Sequence, residues 1–321
     1  MYATTGPSVL AVMYHYVRDR AGTDDAGIRG LDTESFCRQL DLLCSRLDPV
    51  TWPMPCAWLR GRAAIPERSF LLTFDDGLAD HADVVAPILE MRGLRGVFFV
   101  PGRVLESGSM DAAHQVHLLQ ARLGNDKFAQ AVTDWLARNG GEDWLDTLNE
   151  GEAGRIYHYE TPDRARLKYL LSYVLPFELR DRTVDALFRR HVGDPEAFAR
   201  KWYLDLGQIR MLEAAGHTIG GHGFAHMPLL RLSPQEQVLE LSRSASVIRD
   251  ALGPGPRPFS YPFGSVDEAV ARRCAEAGFV HGFTTMPGWI RLGNDPHLLG
   301  RVDTIAAERF LERQELCTLQ C

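Results

Sequence analysis

No run in this sequence approaches the ~18 consecutive apolar residues that a membrane span requires. A basic excess is missing too. Lys and Arg number 35 against 42 Asp and Glu, a formal net charge of −7, which argues against a general nucleic-acid binder. Paired cysteine motifs are absent: the six, at 37, 44, 56, 274, 317 and 321, form no CxxC and no zinc-ribbon spacing. They read as free thiols in a reducing compartment. Residues 1–14 lack the basic start of a signal peptide, and the apolar run Val9–Tyr14 ends at His15, as a strand would. The expectation is a cytoplasmic protein. There is no internal repeat and no low-complexity tract. What is present is ordinary for a globular chain: 321 residues, 45% hydrophobic and 24% charged. That suffices for a large core, in one α/β barrel with an insertion or in two domains.

One stretch organises the rest, Ser69-Phe70-Leu71-Leu72-Thr73-Phe74-Asp75-Asp76-Gly77. Its front half is a continuous apolar run of strand length. Its back half sets two adjacent carboxylates at the strand's C-terminal end. Neighbouring carboxylates repel, and burying either costs several kcal/mol, so the pair needs compensation. A cation supplies it: one Asp ligates the ion and the other stays free as a base. The same Asp-Asp-Gly triplet also makes an ordinary turn.

A second stretch bears on that choice. Gly220-Gly221-His222-Gly223-Phe224-Ala225-His226 follows the apolar segment His217-Thr218-Ile219. Two histidines four apart share a face if the segment coils, and both then reach one ion. Surface helices carry such pairs by accident as well. The glycines allow the chain to turn where the first His is presented.

Thr73-Phe74-Asp75-Asp76-Gly77 resembles the first motif of the polysaccharide deacetylases, the family of the nodulation-factor and chitin deacetylases. His222 to His226 resembles their second motif, and Phe259-Ser260-Tyr261-Pro262-Phe263-Gly264 their third. Val12-Met13-Tyr14-His15 looks like the His-bearing final motif, here placed first. That order is similar to the permuted branch that includes the poly-N-acetylglucosamine deacetylases. The likeness covers 8–101 and 206–303. It implies Asp76, His222 and His226 as metal ligands and Asp75 as base. It implies a backbone N–H at Phe263 for the developing oxyanion, and His15 as general acid. Two departures stand out. The third motif often carries an Arg that supports the catalytic Asp; here Ser260-Tyr261 replace it. Arg301 is the candidate to reach that place, and an ion pair with Asp303 is its other reading. The second motif usually has Ser or Thr after its first His, where this chain has Gly223.

The remaining pattern alternates strands with helices, which implies parallel pairing. Strands are expected at 8–17, up to Phe74, 96–100, 217–221, 259–262, 279–285 and 298–302. Helices are expected at 34–46 with Thr33 as N-cap, at 78–92, at 206–215, from Ser233 to Leu252, at 266–277 and at 306–316. Residues 18–31 and 47–66 read as loops. Between 102 and 205 there is no convincing strand, but helical stretches and many aromatics, among them Trp135, Trp144, Tyr157, Tyr159, Tyr169 and Tyr173. So long a structureless loop is implausible. The expected architecture is a distorted (β/α) barrel of the NodB-homology type, 1–101 with 206–321, and a helical insertion, 102–205, as a cap.

Each residue singled out lies at the C-terminal end of an expected strand, where α/β barrels carry their sites. One Asp and two His leave a position open for water, the pattern of a catalytic zinc site; cobalt or nickel would suit the same donors. The resulting expectation is a metal-dependent amide hydrolase that removes an N-acetyl group from an amino sugar, small or carrier-linked given the cytoplasmic reading. Removal of a formyl group or an O-acetyl ester, or a silent carbohydrate-binding protein of the same fold, are the alternatives.

Overall fold

The computed structural model describes residues 6–19, 27–28, 30–141, 143–157 and 160–319. Residues 20–26 and 29 of the expected loop 18–31, Tyr159 and the thiols of Cys317 and Cys321 lie outside what is described. Cys37, Cys44, Cys56 and Cys274 are free thiols. Among the described residues no helix is long and apolar enough to cross a membrane. The chain forms two compact units, Met1–Asp19 with Gly30–Ser107 and Trp202–Cys321, and Arg20–Arg29 with Gly108–Lys201.

The first unit holds a nine-stranded sheet. Its strands are β1 (Ser8–Tyr14), β2 (Asp48–Pro49), β3 (Arg68–Phe74), β4 (Gly96–Val100), β5 (Thr218–Gly221), β6 (Arg257–Ser260), β7 (Phe279–Phe283), β8 (Ile290–Arg291) and β9 (Val302–Asp303). The order is β7-β6-β5-β4-β3-β1-β8, with β2 paired to β3 and β9 to β1. From β1 and β3 through to β7 the pairs are parallel. The sheet curls into a distorted barrel. Leu299 bridges Phe283 of β7, and β9 a few residues on pairs with β1, so residues 299–303 link the two sides.

Poor alternation in the central strands has a simple cause: both faces are buried. Leu10, Val12 and Tyr14 pack outward with Phe36, Leu40 and Leu43 of the helix Thr33–Arg46. Val9 and Ala11 face inward with Leu71, Val97 and Phe99. The outward side is knit by rings. Tyr14 stacks on Phe74 at 5.1 Å and Phe74 on Phe98 at 4.9 Å. Because the strand period is two, the inward row on β3 that contains Leu71 continues through Thr73 to residue 75.

Several local readings change. Asp32, not Thr33, caps the first helix: its carboxylate accepts from Ser35 N–H at 2.6 Å. The expected loop 47–66 contains β2 and the helix Pro53–Leu59, which opens with proline at its first position. The helix expected at 78–92 starts as a π-helical turn, His81–Val85, and continues as Ala86–Met91. Leu78 is withheld from it by an antiparallel bridge to Tyr203. Ser233 does cap the helix Pro234–Leu252, in a reciprocal capping box with Glu236.

The second unit is helical. Its elements include Ala112–Leu123, Asn125–Arg138, Glu150–Ile156, Pro162–Tyr169 and Phe177–His191. Its aromatics fill its own core: Tyr157 and Tyr169 are buried, and the Tyr169 and Tyr173 rings stack at 5.5 Å. The helix Gly102–Ser107 and residues 202–205 group instead with the sheet unit.

The glycines of β5 are required by close approach. A Cβ on Gly220 would lie 2.6 Å from the Pro258 carbonyl oxygen and 2.6 Å from the Phe99 ring. The backbone oxygen cannot retreat. Gly220→Ala should therefore destabilise the protein by about 1–3 kcal/mol or more, measured by chemical denaturation. An unchanged midpoint would mean that β5 and β6 are less tightly fixed than described.

Candidate metal centre

The site begins where β3 ends. Asp75 N–H donates to the Tyr14 carbonyl at 2.9 Å, extending the β1–β3 ladder by one bond. Adjacent strand residues normally point to opposite faces. Here Asp76 takes φ 79°, a left-handed conformation, and the two neighbouring carboxylates reach one site. Among the described residues three non-glycines have positive φ: Asp76, His226 and Phe263. All three are candidate site residues. Each such position costs on the order of 1–3 kcal/mol and persists where the surroundings hold it.

Asp75 and Asp76 have different partners. Asp75 is met head-on by Arg301, which lies on the segment that joins β7 to β1. The guanidinium makes two bonds, Nη1 to Oδ1 and Nη2 to Oδ2, both 2.7 Å. Arg301 is fully buried and Asp75 is 2% exposed. Its other donors are also used: Nε on the Thr284 carbonyl at 3.1 Å, Nη1 on Thr73 Oγ1 at 3.2 Å and Nη2 on Ser260 Oγ at 2.8 Å. Ser260 Oγ–H in turn donates to Asp75 Oδ2 at 3.0 Å. Burial pushes the Asp75 carboxyl up, but Arg301 and His222 outweigh it and hold it down, at about 2. Asp75 is therefore an ionised acceptor at any working pH. The alternative partner for Arg301, Asp303, is engaged elsewhere: its Oδ1 accepts from Ile305 N–H at 2.9 Å.

Asp76 faces the histidines. Its Oδ1 is 3.3 Å from His222 Nε2 and 3.3 Å from His226 Nε2. The donor atoms of these three residues lie within 4.8 Å of one another, and among the described residues no other three His, Cys, Asp or Glu converge so. His222 Nδ1 sits 2.8 Å from the Ser260 carbonyl oxygen. A carbonyl only accepts, so Nδ1 carries the proton and Nε2 turns its lone pair toward Asp76. Two carboxylates against one guanidinium leave the pocket a charge short, which a cation in the Asp76–His222–His226 position offsets. One carboxylate oxygen and two imidazole nitrogens suit a divalent ion of the zinc type.

The other expected residues lie nearby. His15 follows β1, is half-buried, and is close enough to help lower the Asp75 carboxyl. Its carbonyl oxygen is 3.1 Å from Nε2 of His81, a buried imidazole that desolvation pushes down to about 4. Phe263 occupies the left-handed position of the turn Pro262–Gly264, with its ring 5.0 Å from that of His226. Sequence reasoning missed Thr73, Thr284 and Glu240. Thr73 was findable, since it shares the inward row with Leu71 and residue 75. Glu240 carried a signal too, a charged residue on the buried stripe Gln237, Leu241, Ser244 of its helix. Thr284 contributes its carbonyl, which no residue type announces.

Removing Arg301 would strand a buried carboxylate. Arg301→Met should cost about 3–5 kcal/mol at neutral pH. The sign with pH follows from the carboxyl lying below its ordinary 3.8, at about 2. The pair's contribution is complete above the unfolded value and fades as pH falls through the folded one. Unfolding free energy against pH should thus drop between pH 4 and 2 in the natural protein, with the gap to Arg301→Met narrowing there. A gap under 1 kcal/mol at neutral pH would contradict a buried, paired Asp75.

Known proteins resemble this chain in sequence and in fold. The family model for polysaccharide deacetylase matches residues 190–282, an interval that contains both histidines, Ser260 and Phe263. The peptidoglycan deacetylase of Helicobacter pylori is 24% identical over 169 residues, 51% of each chain. Chitin deacetylase 1 of Cryptococcus neoformans is 38% identical over 64 residues, 20% of this chain and 14% of that one. The matches thus span about half, or less, of these relatives. Among solved structures, the Streptococcus pyogenes deacetylase PplD in complex with acetate aligns with a TM-score of 0.61 at 16% identity, over 96% of this chain and 98% of its own. IcaB from Ammonifex degensii aligns with a TM-score of 0.58 at 17% identity, over 95% and 96%. Those likenesses show the fold, a NodB-type deacetylase fold across nearly the whole length. Four motifs in workable order, a family-model match over residues 190–282 and this fold make the chain similar to the polysaccharide deacetylases.

Proposed function

We propose that the protein is a metal-dependent hydrolase that removes an N-acetyl group from an amino sugar. The observation that carries this is the division of the acidic pair: Asp76 Oδ1 lies 3.3 Å from each of two imidazole Nε2 atoms, while its neighbour Asp75 is locked to Arg301. Asp76, His222 and His226 would hold the ion; zinc fits these donors, and cobalt or nickel would also. Such an ion, when bound, supplies Lewis acidity toward the acyl carbonyl and lowers the pKa of water.

The chain's own residues do the rest. Asp75 is ionised and fixed in orientation, so it is the acceptor for the proton that the attacking water gives up. Arg301 keeps it charged but also weak as a base, which suits a water already acidified. The Phe263 backbone N–H is the proposed donor to the developing oxyanion. His15 is the proposed general acid, because an amine leaves only when protonated and an imidazole can donate that proton. The helical unit 108–201 is proposed to influence substrate choice, since it is inserted directly after the helix that follows β4. Relatives named for peptidoglycan and chitin make an acetylated polymer the leading substrate class. A cytoplasmic setting would favour a smaller or carrier-linked sugar.

Acetate release from a panel of N-acetylated monosaccharides, nucleotide sugars and oligosaccharides tests the assignment. At least one should be hydrolysed, and release of formate or of O-acetyl groups alone would redirect it. Variants separate the roles. Asp75→Asn should keep the metal and lose most turnover, whereas Asp76→Asn should lose metal affinity; the opposite pattern would overturn the assignment. His15→Ala should lower kcat by about 10²–10⁴-fold at unchanged metal content, and a near-normal kcat would remove His15 from that role.

A further inference from the structure

The loop that presents both histidines is pinned from two sides. On one side it extends the sheet: His222 N–H donates to the Val100 carbonyl at 3.1 Å. The Gly223 and Phe224 carbonyls accept from Gly102 N–H at 2.9 Å and Arg103 N–H at 2.7 Å. That uses the carbonyls of residues 223 and 224, while the N–H groups of residues 224, 225 and 227 are met by a different element. Two left-handed residues, Gly223 at φ 72° and His226 at φ 52°, curl these amides into a concave nest.

A carboxylate fills the nest. Glu240 comes from the helix Pro234–Leu252 and is 8% exposed. Its Oε1 accepts from Ala225 N–H at 2.6 Å, and the N–H groups of Phe224 and Met227 and the Arg103 charge act on the same carboxylate. The absence of a side chain at position 223 belongs to this arrangement. A Cβ on Gly223 would lie 3.0 Å from Glu240 Oε1 and 3.4 Å from the Pro262 ring. Glycine therefore leaves the room that the carboxylate occupies. The departure from the usual Ser or Thr at this position need not loosen the loop, because an acceptor arrives from a different element.

We propose that Glu240 is a positioning residue for the metal centre: by gathering the amides of residues 224–227 it fixes His222 and His226 at ligand spacing. It touches neither substrate nor ion. The inference rests on Asp76, His222 and His226 being the metal ligands, and it predicts a property of the loop that exists without the ion. Gln in place of Glu keeps an acceptor oxygen of the same reach; Ala keeps none.

Two measurements on the whole protein test it. The first is backbone hydrogen exchange of the segment 222–227 in metal-free protein. Exchange should quicken clearly in Glu240→Ala and only slightly in Glu240→Gln, with residues of β1 and β3 unaffected. The second is affinity for Zn²⁺ by chelator competition, with the visible spectrum of the Co²⁺-substituted protein. Affinity should fall about 10–100-fold in Glu240→Ala with a changed Co²⁺ spectrum, and return largely in Glu240→Gln. Unchanged loop exchange in Glu240→Ala overturns the inference whatever the metal does. Faster exchange with unchanged Zn²⁺ affinity and Co²⁺ spectrum also overturns it, since Glu240 would then be merely structural. If Glu240→Ala fails to fold, Glu240→Gln decides: wild-type exchange and affinity support the inference, and losses as large as a ligand removal contradict it. A natural protein that binds no Zn²⁺ or Co²⁺ at all overturns the metal reading and the affinity consequence with it, while loop exchange still reports whether Glu240 holds the loop.

Discussion

A buried guanidinium sits on a buried carboxylate, and the mouth of the barrel is arranged around that pair. Taking Arg301 and Asp75 out of water costs several kcal/mol per ion. Two parallel bonds of 2.7 Å recover part of this, and Thr73, Ser260 and Thr284 satisfy the remaining donors. The result is a carboxylate fixed in orientation and held ionised at neutral pH. Its neighbour, spared that partner and swung by a left-handed backbone, is left to the histidines. Two chemically identical residues thereby acquire two environments, which is how adjacent carboxylates take different roles.

The same pair couples the site to the closing of the fold. Arg301 lies between Leu299, which bridges β7, and Val302, which pairs with β1. Ser260 ends β6 and uses both its atoms, the hydroxyl on Asp75 and the carbonyl on His222 Nδ1. Five strands thus converge on one polar network, and their alignment needs the aromatic stack behind β1, β3 and β4 to hold the register. Errors in packing at that stack would be felt as errors in carboxylate orientation.

Much of this could be read from the chain. The strand before Asp75 announced itself by continuous apolar residues, and the parallel order followed from alternation with helices. The acidic pair and the spaced histidines were visible as types at a spacing. What escaped was whatever depends on the third dimension. Thr33 looks like an N-cap, but Asp32 one place earlier has the carboxylate that reaches Ser35. Leu78 and Ala79 look helical, but backbone pairing of 77–79 with 202–204 holds them out. Glu240 lies on the buried stripe of its helix, but only the fold shows that three amides some fifteen residues earlier receive its carboxylate. Arg301 had two candidate partners by sequence distance alone; the choice of Asp75 over Asp303 is made by the curl of the sheet.

The central claim is that one ion on Asp76, His222 and His226 is needed for turnover, with Asp75 standing apart from it. The most direct measurement strips the protein with a chelator and then follows acetate release as Zn²⁺ is titrated back. The account predicts no turnover in the stripped protein and a return that saturates at one ion per chain. Full turnover without metal, or a rise that saturates only at two ions per chain, would contradict it.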